Sequence, residues 1–205
     1  MGYEAAYQKA KKDLEGINPY VVASMSGASF EGSKFIIPFF NLSFSIHHPA
    51  VKVEGVGSDT PPPQWLEILL MHYLLTADGT PVSGMWINYR HLPGAQLFER
   101  RFDKMALTPL THSFGNDAER FRQACLSIGG TPMSRTGDAA FRFLALPKIP
   151  MGCILYLGDE EMRSSVAILF DSAAPHYLPT EDLSLLGTYL ATALIGYKHP
   201  GKGLT

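Results

Sequence analysis

The stretch Leu66–Leu74 constrains this chain more than any other. Leu66, Ile68, Leu69, Leu70, Tyr73 and Leu74 leave almost no polar side for a helix, and a helix that is apolar nearly all round has to be enclosed by other structure. Thr60 followed by Pro61, Pro62 and Pro63 marks its entry, because proline is tolerated in the first turn, where its missing N–H costs no bond. The run from Trp65 to Leu75 is broken by Glu67 and His72 and is too short to cross a bilayer. A buried helix near residues 63–76 is therefore expected, with His72 as a hydrogen-bonded core histidine.

What encloses it follows from the strand signals. Phe40, Leu42, Phe44 and Ile46 alternate with Asn41, Ser43, Ser45 and His47, the period that turns one side of a strand to the core. Lys34–Ile37 reads as its own strand with Pro38 at an edge or bulge, and Val51 and Val53 continue the sheet after a turn at Pro49. Val82–Tyr89, Phe141–Leu146, Cys153–Leu157 and Val166–Phe170 are further strand candidates. Helices are expected over Gly2–Glu15, from Pro93–Gly94 to about Met105, and after a capping box of Asn116 with Glu119. A last helix near 180–196 opens at Thr180, with Glu181 and Asp182 placed favourably for its dipole. Its Leu183, Leu186, Leu190 and Leu194 face the core. Strands follow one another through short turns rather than alternating with helices. The expected fold is α+β, a single domain over 1–205 with a largely antiparallel sheet packed against helices.

Composition agrees with a packed domain: 46% of residues are apolar and 18% charged, so burial can offset ordering entropy. The formal charge of -2 gives no support to nucleic-acid binding, which needs a basic surface. Cys125 and Cys153 are the two cysteines, so one copy of this chain cannot hold a four-cysteine iron–sulfur cluster. Free buried thiols in a reducing compartment, no membrane span and no apolar run behind Lys9, Lys11 and Lys12 lead to a cytoplasmic expectation.

Three groups of side chains can carry chemistry. Asp159, Glu160 and Glu161, with Asp171, are the densest carboxylates. They read as a solvated turn, with Asp171 bonded to backbone or paired with Arg90, Arg142 or Arg163. The competing reading is a cation or acid–base site. His47 and His48 should point to opposite sheet faces, which leaves one of them, His47, as a candidate axial ligand to haem or corrinoid metal. Trp86, Tyr89, Arg90 and His91 could hold a planar anion by stacking and charge-assisted hydrogen bonds, against a packed tryptophan beside a salt-bridged arginine. With Trp86 inward, Tyr89 falls on the outward side. Neither cysteine sits in an electropositive setting that would make it a nucleophile. No nucleophile elbow, phosphate loop or dinucleotide fingerprint is present.

A wider set of landmarks runs along the chain. It comprises Trp86 with Tyr89–Arg90, Leu92–Pro93–Gly94–Ala95, Phe114–Gly115, Gly137–Asp138, Leu146–Pro147 with Ile149–Pro150, and Gly158–Asp159–Glu160–Glu161. Leu169–Phe170–Asp171–Ser172–Ala173 and Tyr177–Leu178 before Glu181–Asp182–Leu183 complete it. In order and spacing these landmarks resemble the prokaryotic domain-of-unknown-function family DUF3786. The resemblance implies an anaerobic bacterial or archaeal setting. Some members resembling this chain carry an added four-cysteine iron–sulfur segment, of the sort also seen in corrinoid iron–sulfur proteins, and this chain departs from them in lacking it. What the resemblance implies is a non-catalytic accessory or ligand-binding protein of anaerobic cofactor or one-carbon metabolism. Such a protein would handle a corrinoid, haem or other tetrapyrrole and meet a corrinoid or iron–sulfur carrier protein. The alternatives are a metal-assisted hydrolase or transferase using Asp159, Glu160 and Asp171, and a purely structural protein–protein module.

Overall fold

Helix α3 (Gln64–Thr76) takes the enclosed position its composition demands, with Leu66, Ile68, Leu69, Leu70, Met71, Tyr73 and Leu74 all buried. The computed structural model describes residues 2–134 and 136–197. Helix α1 (Gly2–Glu15) packs on α3 and puts Ala10 and Leu14 into the core. Helix α2 (Pro19–Ser26) follows; the Asn18 side chain accepts from the Tyr20 and Val21 N–H groups at its start. Gly27 ends it in the left-handed region (φ 74°), donating its N–H to the Ala23 carbonyl, a conformation that a side chain would strain.

The fold is α+β, as expected, but its strands form two antiparallel sheets rather than one. The first is a meander of β1 (Ser29–Glu31), β2 (Lys34–Phe39), β3 (Leu42–His47) and β4 (Val53–Gly55). The second has β5 (Trp86–Asn88), β6 (Thr131–Pro132), β7 (Ala139–Leu146), β8 (Ile149–Tyr156) and β9 (Ser165–Asp171) in the order β5-β9-β8-β7-β6. Phe40 explains the division. It stands in the turn between β2 and β3, with φ 51°, and its N–H meets the Ala145 carbonyl at 3.0 Å. That carbonyl is available because β7 and β8 slip register between Leu144 and Leu146. The sheets thus touch by a turn on a bulge and do not share a ladder.

The alternation expected from Phe40 to Ile46 therefore holds only in part. Phe44 and Ile46 are buried opposite Ile37 and Phe35, whereas Phe40 is a turn residue and Leu42 is exposed. Of the strand expected over Val82–Tyr89, only Trp86–Asn88 forms, because Asp171 satisfies the Ser83 and Gly84 N–H groups without a ladder. The three C-terminal strands form as expected.

Helices cover the second sheet. α4 (Glu99–Phe102) passes through a wider π turn (Asp103–Leu107) into α5 (Thr108–Phe114), so the helix expected to stop near Met105 runs on. Pro109 supplies a cause: it has no N–H for the Met105 carbonyl, and the π turn relieves the crowding its ring would create. α6 (Ala118–Ser127) is capped by Asp117, not Asn116; the Asp117 carboxylate accepts from the Arg120 N–H at 2.9 Å. α7 (Thr180–Ile195) buries Leu183, Leu186, Leu190 and Leu194. Thr180 is its first residue and not its cap, and donates its hydroxyl to the Pro93 carbonyl. No helix of the described residues is long and apolar enough to cross a membrane.

Candidate functional site

α7 presents two faces. One carries Leu183, Leu186, Leu190 and Leu194 into the core; the other, Leu185, Thr188, Tyr189 and Thr192, floors a groove of about 560 Å³. The start of α3 forms one wall with Gln64 and Trp65, and Arg101 of α4 and Met105 of the π turn form the other. Trp65 lies 6.1 Å from Tyr189, ring centre to ring centre, and Phe39 and Phe40 back the tyrosine at 4.8 and 5.2 Å. The Phe40 turn that joins the two sheets therefore also supports the groove. Burial pushes the Tyr189 phenol above its ordinary pKa, so it stays protonated at neutral pH. Cavities of this size, mostly apolar with a few polar groups, are the usual form of small-molecule sites.

One turn of α7 before Leu185, the Asp182 carboxylate lies 2.6 Å from His72 Nδ1 across the α3–α7 seam. This is the hydrogen bond expected of the α3 histidine, but His72 is about 30% exposed at the seam and not in the core.

The residues singled out in the sequence lie outside this groove, and apart from the pairing of Trp86 with Asp171 the three groups are not brought together. Trp86 pairs with Asp171, half-buried on the face of the second sheet opposite Ile87 and Phe170. Tyr89, expected outward, is buried: its ring stacks on Phe102 at 4.2 Å and its hydroxyl donates to the Thr180 carbonyl. The strand ends at Asn88, so Tyr89 starts a 3-10 turn and the parity argument no longer applies. Arg90 and His91 lie exposed on that turn, Arg90 beside Glu99 at 3.9 Å. His47 faces Glu54 at 3.0 Å on the first sheet, far in the chain from all of these.

Asp171 is buried and meets none of Arg90, Arg142 or Arg163. Its carboxylate accepts from the N–H groups of Ser83 (3.0 Å), Gly84 (2.7 Å) and Ala173 (2.9 Å) and from the Ser83 hydroxyl (2.8 Å). Burial alone would raise its pKa, but these hydrogen bonds outweigh it and the net shift is downward. Asp159 is exposed and closes its own turn, accepting from the Glu161 and Met162 N–H groups, which lower its pKa. Asp159 and Glu160 precede β9 and Asp171 ends it, so at ~3.3 Å per residue they stand about 20 Å apart. These three carboxylates do not share a pocket, and no group of three metal-ligating side chains forms among the described residues.

Trp65, Arg101, Met105 and Tyr189 were not singled out by sequence reasoning. A signal existed on α7: Thr188, Tyr189 and Thr192 interrupt a leucine helix on one side only, which marks a face that does not enter the core. Nothing comparable marks Arg101.

No curated protein and no solved structure matches the chain. The family described as domain of unknown function DUF3786 matches residues 18–193. That span takes in both sheets, α3, α4 and all but the end of α7, hence every element that lines the groove, and by it the chain belongs to the DUF3786 family.

Proposed function

We propose that this chain is a cytoplasmic, non-catalytic ligand-binding protein, an accessory of anaerobic cofactor or one-carbon metabolism, and that the groove between α3, α4 and α7 holds its ligand. The observation that carries this reading is the groove's lining: two aromatic rings, aliphatic and thioether surface and one guanidinium, without a carboxylate, histidine or cysteine. Such a lining offers stacking and charge recognition and no obvious proton-transfer pair.

A tetrapyrrole is the most specific form of the proposal. A flat macrocycle could lie against the exposed edges of Trp65 and Tyr189, an acidic substituent could meet Arg101, and the Met105 thioether is a soft donor of the kind that haem iron accepts. The partner would be the corrinoid or iron–sulfur carrier protein that supplies or receives the cofactor.

The test is an optical titration of protein purified without oxygen, with haem and with hydroxocobalamin. A saturable spectral shift that disappears when Thr188→Trp fills the groove is the expected result. Absence of any shift with both compounds would remove the tetrapyrrole reading. A shift that survives Thr188→Trp would move the site elsewhere.

A further inference from the structure

We infer that the groove selects a flat aromatic carboxylate, with Arg101 as the residue that binds its anionic group. The inference rests on the groove being a ligand site and names the class of ligand it takes. Gln64 Nε2 donates to Glu4 at 2.9 Å, Thr188 Oγ1 to the Ser184 carbonyl at 2.9 Å, and Thr192 Oγ1 to the Thr188 carbonyl at 2.9 Å. A threonine hydroxyl has one hydrogen, and both threonines spend it inside their own helix. Their remaining surface toward the groove is methyl and acceptor oxygen.

Two donors remain. Arg101 carries five N–H groups, is exposed, and pairs with no carboxylate among the described residues. The Tyr189 hydroxyl has no hydrogen-bond partner among them either. A guanidinium fork matches a carboxylate in two parallel hydrogen bonds. The start of α3 adds little to this preference, because Glu67 stands in its first turn and the Glu4 carboxylate already meets Gln64. The one charged side chain in the lining is cationic, and the nearby Glu4 carboxylate is occupied by Gln64 and Gln8. The single guanidinium and the largely apolar walls suit one carboxylate on a hydrophobic body better than a polyanion.

The shape of that body follows from the rings. Trp65 and Tyr189 border the groove with Phe39 and Phe40 packed behind the tyrosine, and planar π faces favour planar partners. Met105, half-exposed on the π turn, adds a polarizable and flexible contact that can adjust to a ring edge.

Calorimetric titration with 2-naphthoate and with its neutral isostere 2-naphthamide tests the inference, with indole N–H resonances locating the ligand. The chain has two tryptophans, so Trp86→Phe assigns the Trp65 signal. The expected result is a Trp65 shift and about tenfold tighter binding of the carboxylate. Arg101→Ala should erase that preference, and Arg101→Lys should restore part of it. Equal affinity for acid and amide, with Trp65 still shifting, would overturn the carboxylate assignment and leave the groove as a ligand site. Failure of both compounds to bind or to move Trp65 would overturn the groove reading as well.

Discussion

Replacing Asp171 should release the segment before β5 from the second sheet. In Asp171→Ala the Ser83 and Gly84 N–H groups, on exposed residues, turn to water, but the N–H of buried Ala173 is left without an acceptor. An unsatisfied buried donor costs about 1–3 kcal/mol, and bonds to an ionised acceptor contribute more than neutral ones. With partial solvent compensation at Ser83 and Gly84, the expected loss is about 2–4 kcal/mol. Asp171→Asn keeps one acceptor oxygen but turns an amide toward the Gly84 N–H, and should cost less, about 1–2 kcal/mol. The pH dependence has a definite sign. Hydrogen bonding depresses the Asp171 pKa in the folded state, so its contribution is present above the unfolded carboxylate value of about 3.9 and is lost as pH falls through the lower folded value. The gap between the protein and Asp171→Asn should therefore narrow from about pH 5 downward. Urea unfolding of the three proteins across pH 3–7 reads both effects. A cost below about 0.5 kcal/mol for Asp171→Ala, or a gap indifferent to pH, would refute the reasoning.

Gly187→Ala should destabilise by about 1–3 kcal/mol, because an added Cβ would stand 2.5 Å from Phe102 Cε2, and Phe102 is held by its stack on Tyr89. Urea unfolding checks it, and Phe102→Leu in the same chain should recover part of the loss. Cys125 and Cys153 are free and fully buried, and burial pushes both thiols up, Cys153 to about 12. A colorimetric disulfide reagent should leave both unmodified in the native protein and label both in denaturant; rapid native labelling would contradict the burial argument.

The sequence was most informative where the physics is local. An apolar run with a proline entry became α3, leucines at helical spacing became the buried face of α7, and short alternating runs became β7, β8 and β9. The landmarks shared with the DUF3786 family are also features of chain order, and they were legible without the fold. Phe40 does not open the strand expected from it, because periodicity cannot distinguish the first residue of a strand from the turn before it. Its φ of 51° is set by a hydrogen bond to Ala145, over a hundred residues away.

The candidate site shows the same limit. Trp86, Tyr89, Arg90 and His91 are neighbours in the chain, yet a strand that ends one residue early sends Tyr89 into the core and leaves Arg90 and His91 on the surface. Trp65, Arg101 and Tyr189 are far apart in the chain, and the groove collects them from three helices. The sequence by itself determined the type of most elements and the apolar faces each must bury, because periodicity and capping are properties of short segments. Only the tertiary structure decided which surfaces were left over. A groove forms where α3, α4 and α7 meet with their buried faces already committed elsewhere, and that depends on packing between distant segments, which no local pattern encodes.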